Sequence, residues 1–156
     1  MRLAYSGMPS TLAAAYRAGT LDANGQPPER HVSDGDGVPC RHCLGLVAAG
    51  EPYLVLAYRP FPRPQPYAEV GPVFLHAEPC LAWSPADGLP PRERQGGGRI
   101  LRGYGLGDRI VYGTGRVVAN AAIAAEAAEL LSRPDVAYLH LRSAANNCFT
   151  LRIDRA

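Results

Sequence analysis

The sequence contains no lysine, and all 16 of its basic residues are arginine. Arginine is the better bidentate binder of anions such as carboxylates. The formal net charge is only +2. A field this weak excludes the strong electrostatic attraction that draws a protein to nucleic acid or to an anionic membrane surface, so we expect neither as a partner.

Long apolar runs are also missing. No stretch approaches the roughly 20 apolar residues that a helix needs to cross a bilayer. Beyond Arg2 the N-terminal residues are interrupted by Ser6, Pro9 and Arg17, so a secretory signal is not expected. We therefore expect a cytoplasmic protein, in which the four cysteines are reduced thiols or metal ligands and not disulfides.

What the sequence does contain is an ordinary globular composition. Apolar residues make up 47% of the 156 residues, enough to bury the core of one domain. Apolar runs and alternation predict strands at residues 2–6, 52–58, 70–76, 99–104, 108–112 and 136–142, with a return strand that carries Phe149, Leu151 and Ile153. The Gly- and Pro-rich segments 22–37 and 85–98 are predicted to be surface loops.

Two helices are predicted, at residues 9–18 and 120–133. In the second, Asn120 is expected to cap the N-terminus. Its buried face is expected to consist of Ile123, Ala127, Leu130 and Leu131. Because strands and helices do not alternate regularly, the predicted fold class is α+β. We expect a single domain over residues 1–156, with a mixed or antiparallel sheet, about two helices and a C-terminal β-hairpin.

The proline-rich bend (residues 60–66) lies between two predicted strands. Prolines occupy every second position, which favours an extended polyproline conformation. The segment is interpreted as a stiff crossing from one strand to the next. A ligand for a proline-reading domain is the alternative.

Chemistry-bearing side chains are concentrated between Val38 and Trp83. This stretch holds three of the four cysteines and two of the four histidines. Cys40 and Cys43 have the two-residue spacing that directs both thiolates of a tight turn at one metal ion. With His76 and Cys80 they would complete a tetrahedral Cys3His site, whose soft ligands select zinc.

Two other interpretations of this stretch stay open. One is a set of buried free thiols beside a hydrogen-bonded histidine, because free cysteine is among the most buried residue types. The other is a redox pair formed by Cys40 and Cys43. In that case Arg41 and His42, which lie between the two cysteines, would lower the pKa of a thiol.

The predicted C-terminal hairpin carries a second candidate cluster. Tyr138, His140 and Arg142 share the face of the strand that does not carry its aliphatic residues. If that face is a cleft, His140 is a candidate base, Cys148 a nucleophile and Arg142 the binder of an anion. An ordinary solvated sheet face explains the same pattern.

Several motifs, in this order and spacing, resemble a known family. They are Pro39-Cys40-Arg41-His42-Cys43-Leu44, Gly50-Glu51, Tyr58-Arg59-Pro60-Phe61, Pro66-Tyr67-Ala68-Glu69, Gly71-Pro72-Val73-Phe74, Ala137-Tyr138-Leu139-His140-Leu141-Arg142 and Cys148-Phe149. With them, the chain resembles the bacterial family called domain of unknown function 1203 (DUF1203), from about residue 37 to residue 155. The resemblance implies a small single-domain bacterial protein without an established activity, and it assigns no catalytic residue.

The leading hypothesis is a non-enzymatic binding or interaction module. Its structural zinc would clamp two loops through Cys40, Cys43, His76 and Cys80. The clamp would fix the proline-rich bend, and the expected contact surface for an unidentified small molecule or protein is Phe61, Tyr67 and Trp83.

The alternative hypothesis is a thiol-dependent enzyme. It would use Cys43 or Cys148 with His42 or His140, either in dithiol redox chemistry or in nucleophilic attack on a small anionic substrate. A closed metal site predicts protected thiols, whereas a catalytic thiol is exposed and has a depressed pKa.

Overall fold

The computed structural model describes all 156 residues and contains eight strands and two α-helices. The strands are β1 (Leu3–Ser6), β2 (Glu29–Val32), β3 (Pro52–Tyr58), β4 (Gly71–His76), β5 (Arg99–Tyr104), β6 (Arg116–Val118), β7 (Tyr138–Ser143) and β8 (Phe149–Arg155). The helices are α1 (Ser10–Arg17) and α2 (Ile123–Leu131), with short 3-10 helices at Pro85–Asp87, Pro91–Arg94 and Asn120–Ala122. The predicted α+β class is confirmed.

The strands form two sheets, and every pairing is antiparallel. One sheet has five strands in the order β1-β8-β7-β5-β6, and the other has three in the order β2-β3-β4. The predicted C-terminal hairpin is β7–β8. Strand β1 pairs with β8, with Leu3 opposite Arg155, so the first and last strands of the chain are neighbours.

Helix α2 covers one face of the five-stranded sheet. The four residues predicted for its buried face are all buried: Ile123, Ala127, Leu130 and Leu131. They pack against aliphatic side chains of the sheet, among them Leu101, Leu139, Leu141, Leu151 and Ile153. The helical spacing of apolar residues therefore identified this contact correctly.

Asn120 does not cap α2, which corrects the prediction. Its side-chain oxygen accepts a hydrogen bond from the Gly98 N–H at 2.8 Å, and its amide donates to the carbonyls of Glu93 and Gln95, both at 2.8 Å. The segment predicted as a loop at residues 85–98 is thus tied to the core. It contains two 3-10 helices and buries Glu93, whose carboxylate pairs with Arg99 at 2.5 Å.

One loop prediction and one strand prediction also need correction. Residues 22–37 contain β2, which pairs with β3 but is exposed at every position, so no apolar alternation marks it. Residues 108–112 do not form a strand. Asp108 has a φ of 59°, and only an isolated bridge joins Tyr104 to Ile110. The antiparallel partners of β5 are β6 and β7.

The opposite face of the five-stranded sheet is also covered. The proline-rich bend connects β3 to β4, as predicted, and lays Phe61 across the sheet. The Phe61 ring centroid lies 5.2 Å from that of Tyr104 and 5.0 Å from that of His140. Tyr138, His140 and Arg142 are therefore buried, and the interpretation of their face as solvated is wrong.

The three-stranded sheet packs against α1 and the segment that follows β2. Its core includes Ala13 of α1, Leu54 and Leu56 of β3, and Leu75 of β4, together with Cys40. This packing brings the end of β4 beside the Cys-x2-Cys segment. No helix of the protein has the length and apolarity needed to cross a membrane.

Candidate metal centre

Cys40, Cys43, His76 and Cys80 lie together, and one ligand atom from each falls within 4.8 Å of the other three. The Sγ atoms of Cys40 and Cys80 are 3.9 Å apart, and Cys43 Sγ is 3.6 Å from His76 Nδ1. Tetrahedral coordination with Zn–S of about 2.3 Å and Zn–N of about 2.0 Å separates sulfur atoms by about 3.8 Å and sulfur from nitrogen by about 3.5 Å. The measured separations fit this geometry.

One half of the cluster is the knuckle (residues 39–46). It is closed by two backbone hydrogen bonds, from the Cys40 N–H to the Gly45 carbonyl at 2.9 Å and from the Leu44 N–H to the Cys40 carbonyl at 3.0 Å. Leu44 has a φ of 57°, in the left-handed region, which costs a non-glycine residue about 1 kcal/mol. This strained turn keeps the thiols of Cys40 and Cys43 at the same cluster.

The other half comes from β4 and the residues after it. The Arg41 N–H donates to the Phe74 carbonyl at 2.9 Å, which fastens the knuckle alongside β4. At the end of this strand the His76 N–H donates to Cys40 Sγ at 3.4 Å. Cys80 follows a short turn later. Strand pairing thus joins two ligand pairs that are far apart in sequence.

Glu51 orients the histidine of the cluster. Its Oε2 lies 3.6 Å from His76 Nε2, while Nδ1 of the same ring faces Cys43. A carboxylate on the second nitrogen is the usual support of a histidine that binds a metal. Sequence reasoning missed Glu51. In the pairing of β3 with β4, Tyr53 lies opposite His76, which places Glu51, two residues earlier, near the histidine. A correct prediction of this register would have identified Glu51.

Arg17 and His42 enclose Cys80. Arg17 Nη2 donates to Cys80 Sγ at 3.1 Å, and its Nε donates to the His76 carbonyl at 3.0 Å. His42 Nδ1 lies 3.2 Å from the same sulfur, and its Nε2 lies 2.9 Å from Ser10 Oγ. Both Arg17 and Ser10 belong to α1 and were missed, because nothing in their local sequence indicates what they will contact.

The thiols influence one another electrostatically. A hydrogen bond with Cys43 holds the pKa of Cys40 well below its ordinary value, and the same contact raises the pKa of Cys43. Burial and then the charge of Cys40 raise the pKa of Cys80. The cluster therefore favours ionisation of one thiol, Cys40, and opposes ionisation of the other two. A divalent cation would compensate all three, because a metal deprotonates the thiols that coordinate it.

A family model described as "Protein of unknown function (DUF1203)" matches residues 37–155. The chain belongs to the DUF1203 family. No curated protein and no solved structure matches it. The DUF1203 region includes the whole knuckle and β4, so all four residues of the Cys3His cluster lie within it, while Arg17 and Ser10 lie outside it.

The dithiol interpretation of the DUF1203 cysteines meets a steric obstacle. Cys40 is completely buried, so its thiol is withheld from a disulfide of a partner. Cys43 is only partly buried, and all four cysteines are free. The thiol with the low pKa, Cys40, is therefore one that a substrate cannot reach. A redox-active thiolate has to be accessible.

His140 and Cys148, the candidate base and nucleophile, are not hydrogen-bonded to each other. The Cys148 thiol donates to the Asn146 carbonyl at 3.6 Å. His140 is completely buried, and neither ring nitrogen has a hydrogen-bond partner. Its ring is enclosed by aromatic side chains of Phe61, Tyr104, Tyr138 and Phe149. The base and nucleophile of a hydrolytic pair would have to contact each other.

Arg142, the candidate anion binder, is engaged by protein groups through two of its three guanidinium nitrogens, while Nη1 has no partner. Its Nη2 donates to Glu69, and its Nε donates to Asn147 Oδ1 at 3.2 Å. Glu69 also accepts from Arg102 at 2.6 Å. Although burial opposes it, these two guanidinium groups hold the pKa of Glu69 below its usual range. This ion-pair network borders a cavity of about 330 Å³ that Cys148 also lines.

The three residues of the predicted contact surface are not all accessible to a partner. Phe61 is buried, so it is not available for contact with a partner. Tyr67 is partly exposed and lies 3.3 Å, oxygen to oxygen, from Tyr112. Trp83 packs against the core of the five-stranded sheet and donates its indole N–H to the Gly88 carbonyl at 3.0 Å. Phe61 instead holds the proline-rich bend to the sheet.

Proposed function

We propose that the Cys3His cluster binds a structural Zn²⁺ and that the protein is a non-enzymatic binding module whose fold this ion clamps. The observation that carries the proposal is the convergence of four ligand atoms within 4.8 Å, from the knuckle and from β4. The reduced thiols that the site requires agree with a cytoplasmic location, where free cysteines persist.

The donor set favours zinc and a closed site. Three thiolates and one imidazole are soft and borderline ligands, which suit Zn²⁺ better than they suit Mg²⁺ or Ca²⁺. Four protein ligands complete a tetrahedron and leave no position for a water molecule or a substrate. The chemistry supplied by such an ion is structural cross-linking. Glu51 would hold the His76 ring in the orientation in which Nδ1 faces the ion.

The knuckle is placed where a clamp has consequences for the whole fold. Besides its bond to β4, the knuckle accepts the Met8 N–H on the Arg41 carbonyl. The Arg41 guanidinium donates to the Phe149 carbonyl at the start of β8. A metal at Cys40 would thus hold together segments of both sheets, and this supports a structural role.

The test measures zinc and thiols together in the untagged protein. We expect close to one zinc per chain by elemental mass spectrometry. One thiol, Cys148, should react with an alkylating reagent before chelation, and the three cluster thiols should react only afterwards. Cys43→Ser should lose the zinc, whereas the matched control Cys148→Ser should retain it. Protein without metal, in which one thiol reacts rapidly at neutral pH, would instead support the thiol-dependent enzyme.

A further inference from the structure

A second candidate site lies where the end of β1, α1, the proline-rich bend and the β7–β8 hairpin meet. These elements enclose a cavity of about 260 Å³. Phe61 and Phe149 form apolar parts of its wall, and His140, Arg59 and Arg152 contribute its polar groups. A cavity of this size accommodates one six-membered ring with its substituents. The site shares no side chain with the Cys3His cluster.

His140 provides the first sign of a ligand. The residue lines the cavity and is completely buried, and neither Nδ1 nor Nε2 has a partner within the protein. Burial and then the charge of Arg142 lower the pKa of this ring well below its ordinary value. The imidazole is therefore neutral near neutral pH, and it offers one N–H donor and one nitrogen acceptor. Buried polar groups are normally paired, and the protein leaves both the donor and the acceptor of this ring without a partner.

Arg59 provides the second sign. Its guanidinium makes no ion pair and no hydrogen bond within the protein, and its Nε is buried. Arg152, the other cation in the wall, is already engaged. It pairs with Asp154 at 2.7 Å, and its guanidinium carbon lies 3.7 Å from the centre of the Tyr138 ring. One uncommitted guanidinium in a partly buried wall matches a single carboxylate, which it can bind through two parallel hydrogen bonds.

We propose that this cavity binds a small aromatic carboxylate, whose carboxylate pairs with Arg59, whose ring packs between Phe61 and Phe149, and whose polar substituent hydrogen-bonds to His140. An aromatic body is favoured because aromatic rings surround His140 on several sides. A carboxylate is favoured over a phosphate because only one guanidinium in the wall is free of a partner.

The experiment titrates the full chain with para-hydroxybenzoate and follows the binding by ¹H–¹⁵N NMR. Two matched probes each remove one group: benzoate lacks the hydroxyl, and para-hydroxybenzamide lacks the charge. We expect para-hydroxybenzoate to bind with a dissociation constant below about 1 mM. Each of the other two should bind about tenfold more weakly, because each leaves a buried polar group of the site unpaired.

Variants assign these preferences to residues. Arg59→Gln should abolish the preference for the carboxylate over the amide. Arg63→Gln is the matched control, because Arg63 is an exposed arginine of the proline-rich bend, four residues from Arg59, and does not line the cavity. His140→Phe keeps an aromatic ring in place, and it should abolish the preference for para-hydroxybenzoate over benzoate while leaving the preference for the carboxylate.

Three results would overturn the proposal. They are the absence of saturable shifts up to about 10 mM para-hydroxybenzoate, equal binding of the acid and its amide by the natural sequence, and an Arg59→Gln variant that binds as the natural sequence does. Circular dichroism of each variant establishes that it is folded before its affinity is compared.

Discussion

His76 and His140 are both largely withdrawn from solvent, but their ring nitrogens meet different surroundings. His76 has a partner on each side, with Cys43 Sγ 3.6 Å from Nδ1 and Glu51 3.6 Å from Nε2. His140 lies among aromatic rings, with arginines nearby, and has no hydrogen-bond partner on either nitrogen. In the first region the protein supplies every contact that the imidazole can make. In the second region the protein supplies no hydrogen-bond partner to the imidazole.

The difference separates a closed site from an open one. An unpaired buried polar group lowers stability by about 1–3 kcal/mol, so a polar residue kept in that state acts against the fold. The contacts of His76 are consistent with a residue that holds the fold together. The unpaired nitrogens of His140 are consistent with a residue kept for a ligand. Substitutions in the two regions should therefore have opposite effects on stability.

The largest effect is expected at the Cys3His cluster. Cys43→Ser removes a zinc ligand, and the free energy of unfolding should fall by about 3 kcal/mol or more, because metal binding contributes directly to folding. For a chain of this length such a loss lowers the melting temperature by roughly 10 °C. Calorimetry of the natural and variant proteins measures the change.

The control for this substitution is Cys148→Ser, whose thiol lies outside the cluster and should change stability by less than about 0.5 kcal/mol. A chelator should lower the melting temperature of the natural protein and leave that of Cys43→Ser unchanged. Equal effects of the two serine substitutions would remove the distinction between the clamp and the rest of the molecule.

The free energy of unfolding should fall in acid because His140 is buried. The unfolded chain takes up a proton at this residue near its ordinary pKa of 6.5, whereas burial keeps the folded-state pKa well below that value. The unfolded state therefore binds more protons below pH 6.5, and stability falls as the pH falls. Between about pH 7.5 and about pH 5, this group alone should cost up to about 2 kcal/mol, measured by urea unfolding.

His140→Phe isolates this contribution from any release of zinc in acid. The variant should lose less than the natural protein over the same pH interval, by up to about 2 kcal/mol. If both proteins lost the same free energy, the proton would bind His140 equally well in the folded state, and the contrast with a partnered histidine would disappear.

A smaller effect is expected from Glu51→Gln. The substitution keeps the shape of the side chain but weakens its attraction to His76 Nε2, 3.6 Å away. Zinc affinity should fall about tenfold, at the lower end of the effects of such supporting residues, because Glu51 is exposed. Competition with a chromophoric chelator gives the affinity. Glu29→Gln, which alters an exposed carboxylate on β2, should leave it unchanged.

The smallest predicted effect has the opposite sign. At neutral pH, His140→Phe should stabilise the protein by about 1 kcal/mol, because it removes two unpaired polar atoms from an aromatic enclosure. The exposed His31→Phe serves as the comparison and should change stability by less than about 0.5 kcal/mol. A clear loss of stability in His140→Phe would show that the ring nitrogens are satisfied in the folded protein.

Sequence patterns predicted the elements whose signals are local. The apolar run at residues 52–58 is β3, and the helical spacing from Ile123 to Leu131 is α2. The paired spacings of Cys40 with Cys43 and of His76 with Cys80 selected the four residues that the fold brings together. These predictions succeed because backbone periodicity and the reach of a tight turn are set by residues that are close in sequence.

Features that depend on remote partners escaped prediction. Strand β2 exists because β3 offers it a free edge, not because its polar residues favour a strand. Asn120 serves the loop before β5 instead of the helix after it, because the backbone groups of Glu93 and Gln95 lie within its reach. The local sequence around β2 and Asn120 contains nothing that would have indicated a strand instead of a loop, or a loop contact instead of a helix cap.

The sequence by itself therefore determined the α+β class, the C-terminal hairpin, the DUF1203 membership and the identity of the four candidate zinc ligands. The tertiary structure decided that the knuckle lies against β4 and that Glu51 supports His76. It also decided that Phe61 covers His140. The physical reason is that a polar group becomes paired or unpaired only when distant segments pack around it, and that packing depends on the whole chain.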